Sequence, residues 1–258
     1  MGYEIRAIKN AIQLLSYFDE HNPELGVNEL TSKTNLHKST VHRILMTLEK
    51  IGILEQNSKG GKYRLGLRLY ELGNLAIHGF ELNNVSQPYL KELMEKTGET
   101  VHLVIYDKGE AVYINKVESQ QRMRMVSRIG SRLPLHCTGV GKVLLAYLEQ
   151  SELKKVIRDQ GLCRFTNNTI AHPKDLEKEL EKIRKVGFAI DNEEIELGLK
   201  CVAAPVRDHE GKVIASISIS GSSNRITKDK IPYLSKIVIE TAEKISHRLG
   251  YRIVRKLK

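Results

Sequence analysis

The stretch from Val27 to Leu65 constrains the fold of this chain more than any other part of it. It predicts a short helix, a tight turn, a longer helix and two short strands, in that order. The loop between the strands contains Gly60 and Gly61, which permit the backbone of a tight hairpin. Apolar residues recur at three- and four-residue spacing along the longer helix, at Val41, Ile44, Leu45 and Leu48. These elements in this order predict a winged helix-turn-helix.

Polar and basic side chains crowd the start and the outer face of the longer helix, which we place near residues 37–50. They are His37, Lys38, Ser39, Thr40, His42 and Arg43. Side chains of these types suit phosphate oxygens and the edges of bases in a major groove. Lys59 and Lys62 make the predicted wing basic, so we expect them to contact the phosphate backbone. The stretch therefore predicts a double-stranded DNA partner.

A first helix is predicted over residues 4–20, before the winged helix-turn-helix. Its apolar residues form one stripe of a helical wheel, Ile5, Ile8, Ile12, Leu15 and Phe18. We expect this stripe to belong to the core. Asn28 is the expected N-cap of the short helix that follows, over residues 29–33.

Composition bounds the class of protein without choosing its partner. The 258 residues allow one large or two modest domains. The formal net charge is +10, but residues 1–75 hold 10 Lys and Arg against 8 Asp and Glu, so the basic excess lies mostly elsewhere. Three widely spaced cysteines fit a reducing compartment. No segment resembles a membrane span or a signal peptide, so we expect a cytoplasmic protein with no membrane partner.

The second part of the chain alternates predicted strands and helices. Predicted strands are residues 100–106, 110–117, 124–129, 202–207 and 213–220, and predicted helices are residues 85–97, 139–148, 175–187 and 228–249. This pattern predicts an antiparallel meander backed by helices, of the GAF or PAS type. The expected fold class is thus α+β, with a winged helix-turn-helix over residues 1–66, a linker helix over 67–80 and a domain with a curved antiparallel sheet over 81–258.

Two other kinds of site deserve a hypothesis. Cys201, His136 and Asp191 could form a nucleophile, a base and an orienting acid, and His102 and Cys137 could join His136 and Cys201 around a metal. Neither arrangement has a local motif such as CxxC behind it, so we expect no enzyme, no catalytic residue, no metal and no cofactor. A winged helix that binds RNA or another protein remains an open alternative.

Four blocks of sequence resemble those of IclR-family transcriptional regulators. The first, HKSTVHRILMTLEKIGIL, matches the family's recognition helix, and the others are SRIGSRLPLHCTGVGKVLLA, GFAIDNEEIELGLKCVAAPVRD and ASISISG. The resemblance extends over nearly the whole chain. Arg207 departs from the pattern, since an aromatic residue or histidine is usual there, and we expect a tolerated change on an edge strand.

The resemblance implies a DNA-binding regulator, most often a repressor, that forms homodimers or homotetramers on a pseudo-palindromic operator. It also implies a C-terminal domain that binds a small metabolite, such as an organic, keto or sugar acid. An activator of the same architecture is the alternative. Carried over residue by residue, the effector pocket comprises Gly139, Val140, Asp191, Cys201, Ser218 and Ser220, with Arg122 and Met125 on its more variable wall. The residue types agree, because backbone N–H groups at a helix start suit a carboxylate and serine hydroxyls can donate.

Overall fold

A computed structural model describes residues 5–19, 21–57, 61–78, 81–121 and 127–252 of the protein, without the side chains of 74–78 and 81. The chain divides into two compact units, Met1–Phe80 and Glu81–Lys258. Among the described residues, no helix is both long and apolar enough to cross a lipid bilayer.

The first unit is a winged helix-turn-helix, as the sequence predicts. Its elements are α1 (Arg6–Leu15), α2 (Val27–Ser32), α3 (Lys38–Lys50), β1 (Leu54–Gln56), β2 (Tyr63–Leu65) and α4 (Leu67–His78). Strands β1 and β2 pair antiparallel, with Leu54 opposite Leu65. Gly52 follows α3 with a φ of +76°, a conformation that glycine adopts without steric cost, and so lets the chain turn from the helix into the wing.

The start of α2 differs from the sequence prediction. The helix begins at Val27 with Gly26 as its N-cap, so the prediction of Asn28 as the cap is wrong. A carboxylate oxygen of Glu29 accepts the backbone N–H of Gly26 at 2.6 Å. Glu29 is the third residue of the helix, and its carboxylate satisfies a backbone N–H group that would otherwise lack an acceptor. The helix therefore begins two residues before its predicted start.

The apolar stripe of α1 is also not where the sequence places it. Leu14 is fully buried and Phe18 nearly so, and both pack with α2, α3 and the wing. Ile5, Ile8 and Ile12 are instead 63%, 60% and 63% exposed. The prediction that these three isoleucines belong to the core is wrong within the single chain. Periodicity identified residues that share a helix face, but not what covers that face.

The second unit is a six-stranded antiparallel sheet with helices on both sides. Its elements are α5 (Glu81–Thr97), β3 (Thr100–Asp107), β4 (Glu110–Val117), β5 (Arg132–Leu133), α6 (Gly139–Ala146), α7 (Gln150–Gln160), α8 (Pro173–Val186), β6 (Ala189–Asn192), β7 (Leu199–Arg207), β8 (Val213–Ser222) and α9 (Ile231–Arg248). The strand order is β5-β4-β3-β8-β7-β6, and every neighbouring pair is antiparallel. The predicted α+β fold class is confirmed.

Three details of the predicted sheet need correction. Strand β8 pairs with β3, so the last hairpin returns to the middle of the sheet and the order is not that of a simple meander. Residues 127–129 of the predicted strand 124–129 do not form a strand, and residues 124–126 lie outside the described residues. The strand found at this edge of the sheet is instead the two-residue β5. Strand β6, and the helix α7 outside the sheet, were not predicted.

Alternation along the strands gives the sheet two different faces. Val101, Val202 and Ile219 point to the apolar core that the sheet shares with α5 and α9. Their neighbours in sequence point to the other face, towards α6. There Thr100, Ser220, Cys201 and Asp191 lie side by side across β3, β8, β7 and β6. We call these four residues the polar row.

Candidate functional sites

Helix α3 presents its polar residues outward because its apolar residues anchor the opposite face. Val41, Leu45 and Leu48 are buried against α1, α2 and the wing. His37, Lys38, Ser39, His42 and Arg43 are exposed, and Thr40 is half-buried. The first turn carries no acidic residue. Its open backbone N–H groups and the positive end of the helix dipole therefore favour a phosphate.

The predicted DNA contacts lie on two sides of α3. Lys38, Ser39 and His42 face a concave surface of about 780 Å³ that also includes the start of α2 and Lys62 of the wing. Thr40 and Arg43 instead line a groove of about 440 Å³ between α3 and α1. The two sets therefore lie on different sides of the exposed face of α3.

Lys62 is less free than the sequence suggests. Its ammonium pairs with Glu29 at 2.9 Å, and the two side chains are 45% and 44% exposed. The backbone N–H of Gly26 and this lysine together hold the pKa of the Glu29 carboxyl below its usual value. The pair fastens the wing to the start of α2. Lys59, the other predicted wing contact, lies outside the described residues.

Two further residues on the outer face of α3 escaped the sequence prediction. Met46 is 52% exposed and Lys50 is exposed. They follow Ser39, His42 and Arg43 at three-, four- and seven-residue steps, so a helical wheel extended past the first turns would have found them. Met46 could contact the methyl group of a thymine, and Lys50 a phosphate.

In the second unit, α6 begins directly over the polar row. A Cβ atom added to Gly139 would lie 3.5 Å from Cβ of Cys201 and 3.6 Å from the backbone nitrogen of Asp191. The fold thus brings together six predicted pocket residues, which are Gly139, Val140, Asp191, Cys201, Ser218 and Ser220. Arg122 and Met125, predicted for the variable wall, lie outside the described residues.

Gly141 has a different reason to be glycine. A Cβ atom there would meet the backbone oxygen of Leu135 at 2.3 Å. The hydroxyl of Thr138 caps the helix by accepting the N–H of Gly141 at 3.1 Å. Gly141 therefore lets the preceding loop pack on α6, while Gly139 leaves space beside the polar row.

Asp191 is fully buried at one end of the polar row. Its Oδ1 accepts the backbone N–H of Glu194 at 2.8 Å. Its Oδ2 is buried and meets no N–H or O–H donor among the described residues. The thiol of Cys201 on the adjacent strand, a weak donor, interacts with this carboxyl. Burial raises the pKa of the Asp191 carboxyl to about 7, and the negative charge of Glu194 contributes to the rise. Burial and then Asp191 also raise the pKa of the Cys201 thiol well above its usual value.

A buried lysine that the sequence analysis did not single out holds this part of the site together. Lys142 is 1% exposed, and its ammonium donates to the backbone oxygen of Ile190 at 2.7 Å. It also pairs with Glu194 and lies 3.7 Å from a carboxylate oxygen of Glu179. A lysine inside the otherwise apolar helix GVGKVLLA was the available signal, because a buried ammonium needs an anionic partner.

His102 extends the polar row across the sheet. It is fully buried, and burial lowers the pKa of its imidazole to about 3, so the ring is neutral. Its Nδ1 lies 3.3 Å from Oγ of Ser220, and its Nε2 lies 2.8 Å from Oγ of Ser127. Sequence reasoning considered this histidine only as a metal ligand. The bonds instead link Ser220 to Ser127, which lies two residues after Met125 in the predicted strand 124–129.

The geometry does not assemble the alternative sites. The Nε2 atom of His136 lies 2.8 Å from the backbone oxygen of Cys163, so this nitrogen bonds a carbonyl oxygen rather than the thiol of Cys201. Burial raises the pKa of the Cys137 thiol to about 12. Within the described ranges, no group of three or more His, Cys, Asp and Glu side chains is arranged to hold a metal ion.

Arg207 fills its unusual position through a cation–π contact. Its guanidinium carbon lies 4.6 Å from the centre of the Tyr147 ring, and its Nη1 donates to the backbone oxygen of Gly211 at 2.9 Å. Strand β7 is an interior strand, so the expectation of an edge strand is wrong as stated. However, β6 pairs only with Lys200–Ala203, so no described strand pairs with the Arg207 end of β7 on that side.

An exposed, basic helix of a winged helix-turn-helix, joined in one chain to a domain with a buried polar site, defines a transcriptional regulator that is controlled by a small molecule. Two family models match the chain, the IclR helix-turn-helix domain over residues 7–58 and the bacterial transcriptional regulator IclR C-terminal domain over residues 74–247. The chain therefore belongs to the IclR family, and it is a regulator rather than an enzyme.

Known relatives align along nearly the full chain. The HTH-type transcriptional regulator XynR of Escherichia coli K12 is 37% identical over 96% of this chain and 98% of its own length. The HTH-type transcriptional repressor AllR of the same strain is 36% identical over 96% of this chain and 91% of its own length. The crystal structure of the Thermotoga maritima IclR matches with a TM-score of 0.81 and 38% identity, over 96% of this chain and all of that one.

Proposed function

We propose that this regulator is a repressor that binds a pseudo-palindromic operator as a homodimer or a pair of dimers in the cytoplasm, and that a small organic acid controls its occupancy. The similarity to a protein named as a repressor supports the sign of regulation. The observation that carries the effector part is the buried polar row beneath the first residues of α6.

On the DNA, Lys38, Ser39 and His42 would contact one wall of the major groove and Thr40 and Arg43 the other. The split of these residues between the two sides of α3 supports this assignment. His37 would bind a phosphate at the start of the helix, and Lys59 and Lys62 would contact the flanking backbone. Because Lys62 already pairs with Glu29, its contribution to affinity is expected to be smaller than that of Lys38.

The exposed side of α1 supports a dimer that forms through the DNA-binding unit. Ile5, Ile8 and Ile12 make a continuous apolar strip, because they recur at three- and four-residue spacing and are each about 60% exposed. Water-exposed strips of this kind usually mark an interface. Two copies joined there would present two α3 helices to half-sites about 10 base pairs apart or a multiple of that distance.

In the second unit, the effector carboxylate would accept the backbone N–H groups at the start of α6. Ser218 and Ser220 would offer hydroxyl groups from the same face of β8. Arg122 and Met125 would close the variable side. A coupling free energy of about 1–3 kcal/mol between this pocket and the DNA-binding unit is enough to change operator occupancy several-fold.

The proposal is tested by selecting operator fragments from genomic DNA and then titrating organic acids against the complex. A repressor of this kind protects two related half-sites at moderate salt, and an acid that binds the second unit changes the protection. A complex that ignores sequence, or that prefers RNA, would favour the alternative of a winged helix with another nucleic-acid partner. Stimulated transcription from the selected promoter would favour the activator alternative.

A further inference from the structure

Asn115 joins strand β4 to the start of α5 through its side chain. It is buried, and its Nδ2 donates one hydrogen to Oδ1 of Asn83 and the other to Oε1 of Gln87, each at 2.6 Å. Its Oδ1 accepts the backbone N–H of Lys116 at 2.7 Å. Asn83 and Gln87 are four residues apart and therefore lie on one face of α5. One buried amide thus holds the first turns of this helix against the sheet.

The first turns of α5 depend on this hold because Pro88 lies inside the helix. A proline has no N–H, so the backbone oxygen of Asn84, four residues earlier, lacks its helical donor. Prolines inside helices are also the usual positions of bends. The boundary between the two units lies directly before Glu81, so the start of α5 is where the chain leads back to the DNA-binding unit.

A β-bulge lets Asn115 face α5 while the next residue faces the polar row. The register between β3 and β4 shifts at this point, and Ile114 is the extra residue. Asn115 pairs with Leu103, which belongs to the apolar core beneath α5 and α9. Lys116 pairs with His102, whose side chain lies on the opposite face of the sheet. Two consecutive residues of β4 therefore connect the two faces.

Lys116 and His102 both bind Ser127. The ammonium of Lys116 donates to the backbone oxygen of Ser127 at 2.8 Å, and Nε2 of His102 lies 2.8 Å from its hydroxyl oxygen. The Nδ1 atom of His102 lies 3.3 Å from Oγ of Ser220 in the polar row. Hydrogen bonds therefore connect the polar row, residue by residue, to the first turns of α5. We give the name relay to the four residues between these two ends, which are His102, Ser127, Lys116 and Asn115.

The imidazole of His102 gives the relay two states. Because burial lowers its pKa to about 3, the ring is neutral, and one nitrogen donates while the other accepts. In one state the Ser220 hydroxyl donates to Nδ1 and Nε2–H donates to Ser127. If the Ser220 hydroxyl turns to an anion, Nδ1–H can donate to Ser220 and Nε2 accepts the Ser127 hydroxyl. One ring proton then lies on Nδ1 instead of Nε2, and the hydroxyl groups only rotate.

We propose that the relay couples the polar row to the start of α5, and that a carboxylate which accepts the Ser220 hydroxyl changes operator binding through it. His102 and Asn115 are positioning residues, since they act through Ser220 and through the first turns of α5. This inference rests on the proposed effector function and adds the path by which the second unit acts on the first.

Hydrogen exchange of the full-length protein, followed by mass spectrometry, tests the relay without any acid. Asn115→Leu removes the amide and should speed exchange over residues 82–90 by about tenfold, because the bonds of a buried group are lost. Ser220→Ala should also change exchange there, although it lies on β8. It should add nothing further in the Asn115→Leu background. Ser216→Ala is the matched control, because this hydroxyl of β8 bonds the backbone oxygen of Ala204 instead of His102.

Operator binding measured by fluorescence anisotropy provides the functional test. The probes are lactate, pyruvate, 2-oxoglutarate and gluconate, screened for binding by isothermal titration calorimetry. Asn115→Leu should bind an active acid as tightly as the wild-type protein and still bind the operator, yet lose most of the change in operator affinity that the acid causes. A merely structural role would weaken acid binding as well. Thr97→Val removes a hydroxyl bond to Leu93 at the other end of α5, and it should keep the response.

The outcomes separate the relay from the function on which it rests. A full response to the acid in a folded Asn115→Leu variant would overturn the relay and leave effector control in place. If none of the four acids changes operator binding by the wild-type protein, control by these acids fails and the exchange measurement decides the relay. Exchange in α5 that ignores Ser220→Ala, or that adds fully in the double variant, would overturn the relay in either case.

Discussion

The backbone N–H of Glu194 donates to Oδ1 of Asp191 at 2.8 Å, and this one hydrogen bond determines which oxygen of a buried carboxylate remains open. Glu194 also pairs with the ammonium of Lys142, which projects from the helix above. The loop after β6, the start of α6 and the polar row are therefore connected through a few buried groups.

Removing the basic side chain of Arg43 should weaken operator binding without affecting the second unit. Arg43→Ala is expected to cost about 1–3 kcal/mol if the guanidinium contacts a base, and to relax sequence preference at one position of each half-site. Fluorescence anisotropy with a selected operator fragment measures both effects. Arg158→Ala removes an exposed charge from α7 in the second unit and is the control. An unchanged footprint for Arg43→Ala would exclude it from the DNA-binding surface.

A charge placed in the apolar strip of α1 should separate the proposed dimer. Ile8→Lys puts an ammonium in the middle of Ile5, Ile8 and Ile12, where a partner would have to bury it. Analytical ultracentrifugation should then detect a shift to smaller species, together with weaker operator binding. Leu197→Lys changes a residue that is 69% exposed in the second unit, and it should leave the α1 contact intact. If Ile8→Lys sediments like the wild-type protein, this strip is not the interface.

Breaking the buried ion pair should destabilise the second unit strongly. Lys142→Met leaves Glu194 charged, buried and without its cation, which typically costs about 3–5 kcal/mol. The double variant Lys142→Met, Glu194→Gln should recover part of that loss. Lys178→Met removes an exposed lysine paired with Asp175 and should change stability little. Urea unfolding measures all three, and a single variant no less stable than the double one would contradict the pairing.

Two buried groups should have opposite effects on the way the free energy of unfolding changes with pH. The pKa of Asp191 is raised from 3.8 to about 7, so the folded state binds the proton more tightly and this group lowers stability as pH rises through that window. The pKa of His102 is lowered from 6.5 to about 3, so this group raises stability as pH rises from about 3 to 6.5. The two effects overlap between pH 4 and 6.5 and partly cancel.

Replacing one of these two groups should make the pH effect of the other measurable. Asp191→Asn should make the free energy of unfolding rise more steeply with pH between pH 4 and 6.5, by at most about 1.4 kcal/mol per pH unit. His102→Gln should have the opposite effect on the slope. The comparison is made between variants because Asp191 also faces other titratable groups, namely Glu194, Lys142, Cys201, Cys137 and Tyr113. Parallel curves for Asp191→Asn and the wild-type protein would contradict the raised pKa.

Local signals in the sequence predicted most of the fold. The apolar period of α3 and the glycine at position 52 determine that helix and its end, because both act within a few residues. The hairpin of β3 and β4 is likewise encoded at its turn, where Lys108 and Gly109 have positive φ values of 51° and 88°. Strand β6 was missed because its four residues carry little β-propensity, and only pairing with β7 makes them a strand.

The residues of the site could be predicted from the sequence, but the hydrogen bonds among them could not. Family blocks pointed to Asp191, Cys201 and Ser220, yet the open oxygen of Asp191 depends on strand register and on a bond from Glu194. The exposure of Ile8 is a second example. A helical period identifies residues that share a helix face, but not whether another part of the same chain covers that face. Long-range pairing decides these features, and no short window of sequence contains it.

The proposed regulator couples operator binding by α3 to an organic acid bound beside the polar row. DNase I footprinting on a selected operator tests this coupling most directly. It is done with and without a saturating organic acid that calorimetry shows to bind the wild-type protein, for the wild-type protein and for the double variant Asp191→Asn, Ser220→Ala. We expect the acid to change protection by the wild-type protein several-fold, while the double variant protects the same half-sites and does not respond. A full response in the double variant would contradict it.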